Sequence, residues 1–150
     1  KNGGFSHAEK LVAPVISDGP YGYSQINAAD QRRDPESLLN WTERVIRMRK
    51  ELPELGWGDF QVIDCKNEGV LALRYEWRNN AVLVVHNVRD EAVQIELRLA
   101  GEKARELVNL LAGEHSTADA RGRHRIVIEP YGYRWYRVGG HDSLLDRTPY

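Results

Sequence analysis

DQRRDPESLLNWTERVIRMRK, residues 30–50, is the stretch on which the fold turns. Leu38, Trp41, Val45, Met48 and, just beyond, Leu52 recur at spacings of three and four, which places them on one face of a helix. Leu39 and Ile46 widen this apolar stripe, while Glu43, Arg44, Arg47 and Lys50 face solvent. Asp34 offers an N-cap carboxylate and Pro35 suits the first helical position, where its missing N–H costs nothing. Pro53 and Gly56 end the pattern, so one helix is expected over 34–52 and a linker over 53–58. No other long helical pattern accompanies it. A lone amphipathic helix cannot bury its own stripe, so the chain reads as the tail of a larger protein.

Upstream, residues 1–33 carry Gly3, Gly4, Pro14, Gly19, Pro20 and Gly22 and read as an extended loop. So long a structureless segment inside a compact domain points to a missing surface on which it lies. Downstream of Gly58 the apolar period changes from helix to strand. Strands are expected over 60–65, 69–77, 81–88, 92–99, 105–110, 124–129 and 133–138, separated by Asn-, Gly- and charge-rich turns. Val93, Ile95, Leu97 and Leu99 alternate with Gln94, Glu96 and Arg98, as in a half-buried strand, whereas the unbroken run Val82 to Val85 suits a central strand covered on both faces. The expected fold is mainly β: an antiparallel sandwich over 59–140, preceded by the loop and helix and followed by a frayed tail over 141–150.

Composition narrows the function classes. A net charge of −1 with interspersed signs makes no case for nucleic acid or an anionic membrane surface. No apolar run approaches the ~20 residues that span a bilayer. The single cysteine, Cys65, can form neither an internal disulfide nor a metal site, which favours a reducing, cytoplasmic setting. The opening Lys1-Asn2-Gly3-Gly4 has neither an initiator Met nor a signal-peptide core, as expected for a piece of a longer product.

Chemistry-bearing residues are sparse. Glu51 and Glu54 at the helix end and Asp90 and Glu91 in a turn read as solvated surface. His86, in VLVVHNV, reads as a half-buried structural histidine, with no ligand partner at metal spacing. Ser6-His7 and His115-Ser116 are adjacent pairs, and adjacency is not triad geometry. Neither a metal nor a cofactor is expected. Trp57, Trp77, Tyr131, Tyr133, Trp135 and Tyr136 could offer flat faces to sugar rings, although Tyr133 and Trp135 share a strand face and at least one of them should be core. Phe5, Tyr21 and Tyr23 need cover that the loop does not provide.

Three pieces carry a resemblance. GGFS at 3–6, YGYSQINAADQRRDPESLLNWTERVIRMRK at 21–50 and EPYGYRWYRV at 129–138 resemble the C-terminal end of glycoside hydrolase family 13, the α-amylase family, nearest its trehalose synthase members. The resemblance implies that residues 1–58 are the end of a (β/α)8 catalytic barrel and 59–140 its C-terminal β-domain. The family's nucleophilic aspartate, acid/base glutamate and transition-state aspartate lie on earlier barrel strands, and none of their motifs occurs here. The chain alone is therefore expected to be non-catalytic. In the parent, a retaining mechanism through a covalent glucosyl intermediate is implied, with maltose and trehalose interconverted, or with water admitted in an amylase or α-glucosidase. Phe5 is expected nearest the substrate pocket, and Leu38, Trp41, Val45 and Met48 against the barrel. Its partners would be that barrel and, in the parent, an α-glucoside. The alternatives are a glycan-binding or oligomerisation module, and the uncovered stripe predicts that the fragment folds its helix back or dimerises.

Overall fold

The computed structural model describes residues 1–139, so the expected tail at 141–150 lies outside the described residues. The chain divides into two compact units, Lys1–Glu51 and Leu52–Tyr150.

In the first unit a 3-10 turn at Asn2–Gly4 is followed by irregular chain, α1 (Ala28–Arg33) and α2 (Leu38–Glu51). Gly4 has φ of +78° and lies so close to α1 that an added Cβ would meet the Ala29 nitrogen at 2.7 Å, so only glycine fits there. Asn27 caps α1: its side-chain oxygen accepts from the Asp30 N–H at 2.8 Å.

Two expectations change here. The segment read as loop contains α1, and the helix expected from residue 34 begins at Leu38. Proline accounts for the break. The residue before a proline is pushed out of the helical region, and Asp34 sits at φ −92°, ψ 108°, ending α1 instead of capping α2. The cap of α2 is Ser37, whose hydroxyl oxygen accepts from the Asn40 N–H at 3.2 Å and whose O–H donates to Gln31 O at 2.6 Å. Asn40 closes the corner by donating to Asp34 O at 2.7 Å and Gln31 O at 2.9 Å.

The second unit opens with α3 (Glu54–Trp57), a single turn where a linker was expected. Eight strands follow: β1 (Asp59–Val62), β2 (Val70–Trp77), β3 (Asn80–Asn87), β4 (Val93–Arg98), β5 (Glu106–Asn109), β6 (His115–Thr117), β7 (Arg123–Ile128) and β8 (Tyr133–Val138). All seven expected strands are present; the short β6 is added. They form a six-stranded antiparallel sheet, β1-β2-β3-β8-β5-β6, and a two-stranded sheet, β4-β7. Period-2 alternation builds the core between the sheets. Val93, Ile95, Leu97, Ile126 and Ile128 from the small sheet pack in one cluster with Ala72, Leu83, Val85, Leu107, Tyr136 and Val138 from the large one. Val82 and Val84 of β3 point to the other face and are also buried, as the continuous apolar run implied. Leu52 is buried as well, and α3 packs on β2 and β3.

Candidate functional site

The outer face of the six-stranded sheet, the side away from β4-β7, displays a row of apolar and aromatic side chains. Register defines it: Phe60 stands beside Tyr75, and Val62 beside Leu73. Tyr75, Leu73 and Leu71 then pair with Val82, Val84 and His86. Those three in turn pair with Arg137, Trp135 and Tyr133. Phe60, Val62 and Leu71 are exposed, and Tyr75, Tyr133 and Trp135 are half-buried. The Phe60 and Tyr75 rings lie 6.0 Å apart, tilted by 38°, and His86 stacks on Tyr133 at 6.1 Å. Burial lowers the pKa of His86 from its ordinary value.

At one end of this face Arg137 Nη1 donates to Glu54 Oε1. Glu54 and Arg137 are each only 2% exposed, so the pair is fully withdrawn from water. Glu54 therefore does not belong to the solvated surface, as its place beside a helix end had implied: α3 folds it onto the sheet because a buried guanidinium needs a carboxylate. At the opposite side of the core His124 is fully buried. Its Nε2 lies 2.7 Å from Ala104 O, and since a carbonyl only accepts, Nε2 carries the proton; its Nδ1 lies 2.9 Å from Ser116 Oγ. Alternation held a signal for His124, which shares parity with the core residues Ile126 and Ile128. No periodic signal marked Glu54, which lies outside any regular element in the sequence pattern. His115-Ser116 is no dyad; Ser116 serves His124 instead.

The residues singled out from sequence fall in separate places. Phe5 sits just after the 3-10 turn of the first unit and is 59% exposed. Leu38, Trp41, Val45 and Met48 share one face of α2, with Leu38 exposed and the other three half-buried. Among the aromatics, Tyr136 is core, Tyr133 and Trp135 lie together on the outer face, Trp57 and Tyr131 are exposed, and Arg78 stacks over Trp77 at 5.4 Å. Among the described residues no group of three His, Cys, Asp or Glu is placed to hold a metal ion, and no helix is long and apolar enough to cross a membrane. Burial raises the pKa of the Cys65 thiol, which keeps it protonated and unreactive. Among the described residues the geometry thus presents exposed apolar and aromatic surfaces.

Residues 80–137 match the family described as the sucrose hydrolase-like C-terminal domain. The trehalose synthase of Pimelobacter sp. (strain R48) is 31% identical over 149 residues, covering 95% of this chain and 26% of that protein. Trehalulose synthase from Pseudomonas mesoacidophila MX-45 superposes with a TM-score of 0.58 at 26% identity, over 77% of this chain and 20% of that one. An Anoxybacillus α-amylase shares the fold with a TM-score of 0.64 at 20% identity, over 89% of this chain and 27% of that one. The chain is a C-terminal domain of glycoside hydrolase family 13, the α-amylase family. Within the family, its curated relatives include trehalose synthases that match it over nearly its whole length, of which it spans about a quarter.

Proposed function

We propose that this chain is the non-catalytic C-terminal part of a cytoplasmic enzyme that interconverts maltose and trehalose, and that its role is to hold a catalytic barrel in place. The observation that carries the reading is the 31% identity to a trehalose synthase along 149 residues, which runs through both units. The exposed faces support it. The α2 stripe of Leu38, Trp41, Val45 and Met48 and the outer sheet face around Phe60, Val62 and Leu71 would lie against the upstream barrel, with Phe5 carried toward its substrate pocket. Covering ~100 Å2 of apolar surface on one large side chain is worth ~2.5 kcal/mol, so a few such residues suffice to fix a domain. In that barrel two carboxylates would act on an α-glucoside, one as nucleophile and one as acid and base.

The test is a product analysis. A longer polypeptide carrying the upstream barrel should convert maltose to trehalose, read by NMR of the anomeric protons, and the 150-residue chain alone should not. Release of glucose without trehalose would replace isomerase by hydrolase, and turnover by the chain alone would sink the reading.

A further inference from the structure

Asn2, Gly3 and Gly4 have φ of +50°, +59° and +78°, three left-handed residues in succession. A β-carbon makes that region costly, and glycine and asparagine are the residues that enter it most readily. The Gly4 N–H donates to Lys1 O and the Phe5 N–H to Asn2 O, each at 3.0 Å, closing the turn. The Asn2 side chain staples it: Nδ2 donates to Ala8 O at 2.9 Å and to Ser6 O at 3.1 Å. The turn is seated on the start of α1. A Cβ added at Gly3 would meet the β-carbons of Tyr23 and Asn27 at 3.1 Å, as one added at Gly4 would meet Ala29.

The same residues are reactive in an open chain. Asn2-Gly3 is the only Asn-Gly pair in the sequence. The amide nitrogen after an asparagine can attack its side-chain carbonyl carbon, and glycine, having no Cβ, obstructs that attack least. The bond between the Gly3 nitrogen and Asn2 Cγ forms, the Cγ–Nδ2 bond breaks, and ammonia leaves with the Gly3 amide proton. Water then opens the cyclic imide at either carbonyl, giving aspartate or isoaspartate. Ring closure needs the Gly3 nitrogen on the same side of the Cα–C bond as the Asn2 Cβ. The ψ of a left-handed residue turns it to the opposite side, and Nδ2 is committed to two carbonyls. The closed turn therefore blocks the attack. The product does not fit back, since a carboxylate has no hydrogen to donate and would face the Ser6 and Ala8 carbonyl oxygens. We propose that Asn2 is a latent modification site, silent while this turn is closed and deamidated once it opens, after which the turn cannot re-form.

The experiment follows Asn2 by peptide mass spectrometry at mildly alkaline pH, in the folded 150-residue chain, in its Gly4→Ala variant and in a free peptide of residues 2–10. Deamidation in the folded chain should be at least ~tenfold slower than in the peptide, because only the opened fraction reacts. Gly4→Ala puts a Cβ 2.7 Å from the Ala29 nitrogen, at a φ that disfavours it. Its rate should rise to within ~threefold of the peptide while the far-UV spectrum of the strands is kept. Asn2→Asp reproduces one product, and its Gly4 and Phe5 amides should exchange hydrogen ~tenfold faster than those of the wild type. A folded chain that deamidates as fast as the peptide overturns the proposal, and so does a Gly4→Ala rate equal to that of the wild type. Loss of the strand spectrum in Gly4→Ala overturns it too, because protection would then belong to the whole fold and not to the turn. Wild-type exchange at both amides of Asn2→Asp would show that the turn re-forms around the product, which sinks the proposal from the other side.

Discussion

Glu54→Gln should be among the most damaging single substitutions in the second unit. Glu54 and Arg137 are each 2% exposed, and they meet through one hydrogen-bonded ion pair between α3 and β8. Removing one charge leaves a guanidinium buried without compensation, a loss of ~3–5 kcal/mol, against a total of ~5–15 kcal/mol for a domain. The pair itself is only half satisfied: Glu54 Oε2 and Arg137 Nε and Nη2 find no hydrogen-bond partner among the described residues. Glu54→Met combined with Arg137→Met, similar in length and free of charge, should therefore recover to within ~1 kcal/mol of wild type or exceed it. Urea unfolding followed by far-UV circular dichroism, on wild type, both single variants and the double, gives the coupling energy directly. A Glu54→Gln cost below ~1 kcal/mol would refute the reasoning, since the pair would then be behaving like an exposed one. A double variant no better than the worse single would refute it as well.

Leu83→Ala, at a fully buried position in β3, should cost ~2–5 kcal/mol by leaving a cavity between the sheets, measured in the same urea experiment. His86 makes stability depend on pH. Burial depresses its folded pKa, so the unfolded chain binds the proton more readily; stability is whole above the ordinary value of 6.5 and is lost as pH falls from there toward the depressed value. Melts between pH 5 and pH 8 should show this slope, and His86→Gln should flatten it. On α2, Leu38→Glu with Ile46→Lys places charges on two exposed apolar positions. Sedimentation velocity should find less self-association than in wild type, and an unchanged distribution would remove this stripe as the cause of any dimer.

Much of the β-unit was legible because a strand exposes its period directly. Val93, Ile95 and Leu97 alternate with polar residues and are buried as read; Val82 to Val85 break the alternation and are buried on both faces. The His124 alternation with Ile126 and Ile128 was there too, but its meaning depends on Ser116 and Ala104, which only the fold brings to its ring nitrogens. The helix start was misplaced because Asp34-Pro35 carries two messages. Asp and Pro are good N-terminal residues, and a residue before proline is also driven extended; the Ser37 and Asn40 hydrogen bonds tip the balance to the second.

By itself the sequence determined the class: an amphipathic helix, then seven strands with clean turns, in a chain whose three quoted segments resemble the α-amylase family. These are local properties, period and punctuation, written in residues close together in the chain. Tertiary structure alone decided which strands are neighbours, that Glu54 is buried with Arg137, and that Tyr131 is held out at positive φ. Each of these depends on groups far apart in sequence, 83 residues in the case of the buried pair. Burial, not residue type, decides whether a carboxylate is solvated surface or half of an ion pair.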